Sequence, residues 1–447
     1  MEKKVAVVGA GLVGSLLSVY LARRGYKIDV YERRGDLRTG NLAGGRSINL
    51  ALSERGWNGL RGIGLEEEIR KISIPMSGRV IHHVNGEIDF QPYGKEGQAI
   101  YSVSRLGLNI RLMELADASE NISFHFDERC VRADLEKGLL GFENQKTGLF
   151  SEVETDLIFG SDGAFSALRL SMQMTDRYDY SQTYLEHGYK ELSIPTTADG
   201  NFAMHQNALH IWPRGGFMLI ALPNLDKSFT CTLFFPFEGE KSFSKINTPE
   251  NLLQFFNETF PDVVPLMPTL VEDFFNNPTG SLMTVRCFPW AYKDKVLLIG
   301  DAAHAIVPFF GQGMNCGFED CTVLEELMNQ NDKDLGEVFR KFELSRKPNS
   351  DAIAQLALDN FIEMRDLVGD KKFLLRKKIE AEINKKYPDQ WLSQYSMVTF
   401  SNIPYSEALR RGENQRIIMD KVMQIPDIEN KWNSEEVMNR IKTEMGN

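Results

Sequence analysis

Three short apolar runs, far apart along the chain, each lead directly into a glycine-bearing turn. The first is Val5-Ala6-Val7-Val8, followed by Gly9-Ala10-Gly11-Leu12-Val13-Gly14. Its β-branched character predicts a buried strand. The spacing of Leu16, Leu17, Tyr20 and Leu21 predicts a helix after the turn, ending at Gly25. Lys27-Ile28-Asp29-Val30-Tyr31-Glu32 predicts a second strand with an acid at its end. Together they read as one βαβ unit of about 30 residues.

Asp156-Leu157-Ile158-Phe159 and Val296-Leu297-Leu298-Ile299 predict two further buried strands. They lead into Ser161-Asp162-Gly163-Ala164 and Gly300-Asp301-Ala302-Ala303-His304. Between these, Gly78 to Tyr101 and His205 to Phe235 alternate in polarity and are rich in aromatic residues. They predict strands that share one sheet outside the nucleotide fold. From Pro348 onward the spacing predicts helices. No internal repeat or low-complexity linker is present.

Composition narrows the picture. Of 447 residues, 42% are hydrophobic and 25% charged, as in ordinary globular enzymes, and the length suggests two or three domains. The net charge of -11 gives a nucleic-acid partner no support. The five cysteines lack zinc-type spacing and read as thiols of a reducing compartment, with Cys316 and Cys321 buried rather than redox-paired. Met1-Glu2-Lys3-Lys4 runs straight into the first strand, which fits no secretory signal. No apolar run approaches the ~20 residues of a membrane span. The expectation is a soluble, cytoplasmic protein. His82, His83, His125, His187, His205 and His210 show no metal-site pattern, so no metal is expected.

The glycines carry the chemistry. Gly9 permits a tight turn, Gly11 lets backbone approach a pyrophosphate, and Gly14 lets the helix pack on the strand. Free amides at the helix start favour the phosphate. Glu32 can accept hydrogen bonds from a ribose. This much does not separate FAD from NAD. The third motif says more. Asp301 can meet the hydroxyls of a ribityl chain. Pro308-Phe309-Phe310-Gly311-Gln312-Gly313-Met314-Asn315 then opens a helix. The amides of Gly313, Met314 and Asn315 can face a flavin carbonyl, where a helix N-terminus stabilises negative charge.

In this order the three motifs resemble the FAD-dependent aromatic hydroxylases, or group A flavoprotein monooxygenases, over roughly residues 1–345. The resemblance implies an α/β fold: a Rossmann-like FAD-binding domain with an inserted β-sheet substrate domain and a helical C-terminal region. The expected FAD-binding parts are residues 1–70, 100–180 and 275–345. Residues 71–99 and 181–274 form the β-rich substrate domain, and 346–447 the helical one. The resemblance adds Val13, Arg33, Ala51, Arg105, Asp162, Gly163 and Pro308 as cofactor contacts. It implies bound FAD, NADPH as a transient reductant, and a flavin hydroperoxide that delivers oxygen to an electron-rich ring. No catalytic side chain is assigned, and His304 is read as structural.

A finer resemblance rests on Pro75-Met76-Ser77-Gly78-Arg79, Phe90-Gln91-Pro92-Tyr93-Gly94, Asp359-Asn360-Phe361-Ile362-Glu363-Met364-Arg365-Asp366 and Met397-Val398-Thr399-Phe400-Ser401. These look like the branch of that family that hydroxylates L-kynurenine, over nearly the whole chain. Arg79 offers a planar fork suited to a carboxylate. The resemblance implies that Arg79 and Tyr93 hold the substrate carboxylate, with Asn360 and Tyr395 completing the polar end. Asn360, Glu363 and Met364 stand at i, i+3 and i+4, so they are expected on one helix face. Met218, Ile220 and Leu222 alternate and should share one strand face, with Phe234 and Phe309 as further walls for the ring. The implied partners are L-kynurenine, O2 and NADPH. Eukaryotic members carry a C-terminal membrane anchor; none is read here, so the likeness is to the soluble bacterial form. Another amino-substituted or phenolic aromatic acid is the alternative substrate. A flavin protein without turnover, or a plain oxidase or reductase, is the alternative class. Oligomeric state is not read from the sequence.

Overall fold

A computed structural model describes residues 3–40, 49–331, 333–368 and 370–446; Met1 and Glu2 of the expected leaderless start lie outside them. The first apolar run forms the strand Lys4–Val8, paired in parallel with Lys27–Glu32 and Leu157–Gly160. Val7, Val30 and Ile158 are fully buried, as strands covered on both faces require. Val296–Leu298 pairs beyond Leu157–Gly160, and Ile122–Phe126 beyond Lys27–Glu32. The three strands that lead into the glycine motifs therefore lie side by side and run the same way. All three motifs emerge at one edge, beyond the carboxyl ends, where open α/β sheets bind ligands.

A second sheet has seven strands among the described residues. Its order is Thr279–Phe288, Asp179–Ile194, Phe229–Pro236, Met218–Pro223, Ala208–Pro213, Gly78–His82 and Ile88–Pro92. Only the pair Gly78–His82 and Ala208–Pro213 is parallel. The alternating segments of the sequence thus join here, with one correction. Ile100–Ser104 instead pairs with Asn49–Leu52 and Ser73–Met76 in a separate sheet. Alternation says that a residue is half-buried, not against which core, and Val103 packs with the nucleotide-side core.

The two faces of the seven-stranded sheet have different tasks. Trp212, Leu219, Leu233 and Phe235 pack against the helices Pro249–Thr259 and Leu270–Asn276. Leu209, Met218, Leu222 and Phe234 point the other way.

The helix Leu335–Ile362 is continuous for 28 residues, with Pro348 inside it. The expectation that helical structure begins at Pro348 is corrected, and the helix crosses the boundary drawn at residue 345. Pro348 leaves the Leu344 carbonyl without a helical donor. Leu344 is exposed, so water can satisfy that group. A π-helical turn, Glu363–Leu367, follows. The later helices pack on one another through Ile379, Ile383, Trp391, Met419, Val422 and Val437. No described helix is long and apolar enough to cross a membrane.

On the face of the sheet away from Leu209, two buried imidazoles meet. His210 Nε2 donates to the His205 carbonyl at 2.8 Å, so its Nδ1 is the acceptor for His82 Nε2 at 2.9 Å. Burial, above all, pushes His210 down to about 4. An unfolded histidine titrates near 6.5. The stability contributed by neutral His210 is thus complete above pH 6.5 and lost as pH falls towards 4. Between pH 7 and pH 4.5 the expected loss is about 2–3 kcal/mol from this group. Urea unfolding at both pH values should show a smaller drop in His210→Gln than in wild type; equal drops would contradict this account.

Candidate cofactor and substrate site

Gly9 has φ +104°, a conformation glycine takes without strain. A β-carbon on Gly14 would stand 1.9 Å from the Gly9 carbonyl oxygen. Strand and helix Leu12–Arg23 therefore meet backbone to backbone. Ser161 N donates to the Val8 carbonyl at 2.9 Å and Ser161 Oγ to the Gly9 carbonyl at 2.9 Å, which fastens the second motif to the first. Val13 fills the gap to the third: a β-carbon at Gly317 would stand 2.5 Å from Val13 Cγ2. Arg169 ties the second motif to the third, donating to Ala164 O at 2.5 Å and Ala302 O at 2.8 Å. Asn109 Nδ2 braces the first loop through Ala10 O at 3.1 Å. Sequence reasoning missed Asn109, because nothing in its spacing marks a helix residue that reaches a distant loop.

Behind the third motif, Asp320 accepts from Gly300 N at 3.0 Å, His304 Nε2 at 2.6 Å and Arg346 Nε at 2.7 Å. Burial alone would push His304 down, but the Asp320 carboxylate outweighs it and holds the imidazole well above its ordinary range. His304, Cys316 and Asp320 offer ligand-type atoms within 4.8 Å of one another, all buried. The Arg346 guanidinium already supplies a cation to that carboxylate.

A cavity of about 910 Å³ opens where the motifs converge. It is lined by Gly9, Gly11, Val13, Glu32, Arg33, Ala51, Arg105, Asp162, Gly163, Asp301, Pro308, Gly313 and Met314. It is also lined by Arg79, Tyr93, Met218, Ile220, Leu222, Phe234, Phe309, Asn360, Met364 and Tyr395. Three expected contacts are not in its wall. Gly14 is packed beneath the first turn. The Asn315 side chain turns inward, accepting from Ser53 N at 2.9 Å and donating to Ala51 O and Gly311 O at 2.8 Å each; its expected contact is through the backbone amide, on which these bonds do not bear. Glu363 stands behind the wall, where it pairs with Arg79 and Lys377 at 3.5 Å each. Asn360 and Met364 line the cavity, and Glu363 reaches it only through its pairing with Arg79. The lining residues Arg34, Arg129, Tyr189 and Phe310 were not foreseen.

The donors suit a dinucleotide. The helices Leu12–Arg23 and Gly313–Gln330 both start at this cavity. A β-carbon added at Gly11 would meet nothing within 4 Å, so the cavity reaches the backbone there. Glu32 is held by Ala10 N at 3.0 Å and Arg34 Nε at 2.8 Å, which leaves lone pairs for hydroxyls. Asp162 accepts from Ala167 N at 2.7 Å, while its Oδ1 has no partner and burial raises its carboxyl. These groups can hold FAD: amides for the pyrophosphate, carboxylates for the sugar and ribityl hydroxyls.

At the other end, the Arg79 guanidinium lies over the rings of Tyr395 at 5.0 Å and Tyr93 at 5.4 Å. Those two rings stack at 5.1 Å. Arg79 Nε and the Tyr93 hydroxyl are buried with no hydrogen-bond partner. Burial would raise Glu363, but Lys377 and Arg79 hold it below the usual carboxylate range. Asn360 Nδ2 donates to Phe309 O at 2.7 Å. Phe309 stacks on Phe361 at 4.0 Å and meets Phe234 at 4.8 Å, so the apolar wall is continuous.

Residues 2–330 match the protein family described as FAD binding domain. A kynurenine 3-monooxygenase of Flavobacterium johnsoniae is 50% identical over 438 residues, 98% of either chain. One from Dictyostelium discoideum is 47% identical, over 94% of either chain. The chain belongs to the FAD-binding family that holds the kynurenine 3-monooxygenases. Its fold is also similar to that of solved structures of low sequence identity. A tetrameric 2-methyl-3-hydroxypyridine-5-carboxylic acid oxygenase superposes with TM-score 0.67 at 19% identity, over 86% of this chain and 97% of the other. A tetracycline destructase superposes with TM-score 0.61 at 18% identity, over 90% and 99%.

The two family glycines should behave differently. Gly11→Leu points a side chain into open cavity, so it should abolish FAD binding yet leave the melting temperature of the flavin-free protein unchanged. Gly14→Ala drives a β-carbon into the Gly9 carbonyl and should lower that melting temperature by several degrees, as a loss of about 1–3 kcal/mol would. Retained yellow colour in purified Gly11→Leu would contradict this assignment.

Proposed function

We propose that the protein hydroxylates L-kynurenine at ring position 3, with FAD bound and NADPH and O2 as co-substrates. The balance is kynurenine, O2, NADPH and a proton giving 3-hydroxykynurenine, NADP⁺ and water. One observation carries the substrate: two buried donors without partners, Arg79 Nε and the Tyr93 hydroxyl, stand at one end of an apolar cavity. A buried donor left unpaired costs about 1–3 kcal/mol, so such a pair favours a ligand that brings acceptors. The carboxylate of an amino-acid tail does so.

With its tail on Arg79 and Tyr93, the aniline ring lies against Met218, Ile220, Leu222, Phe234 and Phe309. These apolar walls would shield the ring from water. FAD, when bound and reduced, supplies the activation of O2. The substrate's own amino group makes the carbon ortho to it electron-rich, so no side chain is needed as a base. Arg33, Arg105, Asp162, Asp301 and the Gly313 and Met314 amides hold the cofactor in this reading. Five unpaired cysteines support a reducing, cytoplasmic setting.

The test is incubation of FAD-loaded protein with NADPH, air and L-kynurenine, read by mass spectrometry and NMR. The expected product carries one added oxygen at position 3. Kynurenine-independent NADPH loss, or peroxide as the sole product, would overturn the substrate. Arg79→Ala should weaken kynurenine binding by about 1.5–3 kcal/mol with flavin content unchanged.

A further inference from the structure

The loop that opens the helix Gly313–Gln330 is gripped from the far end of the chain. Tyr405, fully buried at the start of the helix Tyr405–Val422, donates its hydroxyl to Gln312 Oε1 at 2.8 Å. Gln312 is the residue immediately before that helix and is itself buried. Its Nε2 donates onward to Ser53 Oγ at 3.3 Å. The phenol cannot swing away, because the Arg55 guanidinium lies 3.9 Å from the centre of its ring. Arg55 is anchored by Glu319 and by the carbonyl of Ile403, two residues before Tyr405. Burial, first of all, keeps the Tyr405 phenol protonated and a donor.

We propose that Tyr405 is a positioning residue for the flavin. Through Gln312 it sets the direction of the first amides of the helix, Gly313 and Met314, which line the cofactor cavity. Those amides oppose the negative charge that a flavin gains on reduction. Their alignment therefore sets how readily FAD is reduced. The inference rests on the FAD site and is independent of which aromatic substrate is used. Without this bond the loop stays folded, since Asn315 still holds Ala51 and Gly311, but the turn at Gln312 is released.

The test compares FAD-loaded wild type, Tyr405→Phe, Gln312→Met and the double variant. The readouts are midpoint potential, affinity for sulfite (whose adduct also puts negative charge on the flavin) and melting temperature. Tyr405→Phe keeps the ring on Arg55 and removes only the donor; Gln312→Met removes the same bond from the other side should the first variant not fold. The expected result is a roughly tenfold fall in the equilibrium constant for two-electron reduction, ~30 mV more negative. Sulfite should bind more weakly, and the double variant should go no further than Gln312→Met alone. Unchanged potential and sulfite affinity with a lowered melting temperature would overturn the proposal and leave Tyr405 a packing residue. Wild type that takes up no FAD would overturn the site beneath it as well.

Discussion

The site depends on backbone touching backbone at one turn. Gly14 lies so close to the Gly9 carbonyl that a single methyl group would have to displace one of them. That contact brings the start of the first helix to the edge of the sheet. Ser161 then seals the turn with two hydrogen bonds, one from its backbone N–H and one from its hydroxyl, and Val13 packs against Gly300 and Gly317. Three segments distant in sequence thereby share one small volume. The cavity is the space they leave.

The polar groups around that space are held by other polar groups, which limits what each can do. Asp320 and Asn315 have their bonding capacity taken up by the protein, so they shape the loops. Asp162 Oδ1, Arg79 Nε and the Tyr93 hydroxyl are left unpaired in the wall. In a low-dielectric cavity such groups make strong and selective contacts. Arg79 keeps its charge there through Glu363 and the stacked tyrosine rings, and a charged ligand can exchange its hydration for that setting. The seven-stranded sheet carries this arrangement because its period of two sends one face to the ligand and the other to a closed aromatic core.

The C-terminal helices are bonded to the loops around the same cavity. Asn360 holds the Phe309 carbonyl, Tyr405 holds Gln312, and Arg55 reaches the carbonyls of Val398 and Ile403. The segment from Phe309 to Gln312 is thus clamped between a helix that lines the substrate end and one that does not. Substrate contacts at Asn360 or Tyr395 would act on a loop that also faces the flavin.

Much of this was legible in the order of residues. Local rules sufficed for the βαβ start, the strands before each glycine motif and the alternation of Met218, Ile220 and Leu222, because each depends on neighbours a few positions away. The motif order and the residues around Arg79 and Asn360 carried the family. Other features depend on contacts no local pattern encodes. The pairing of Ile100–Ser104 with another sheet and the helix continuing through Pro348 were decided by which surfaces were left to cover. Asn109, Arg169 and Tyr405 act across 99, 133 and 93 residues of chain. Their roles follow from where three dimensions place a hydrogen-bond donor, whereas the glycines could be read in one dimension because the space they leave is defined by the backbone itself.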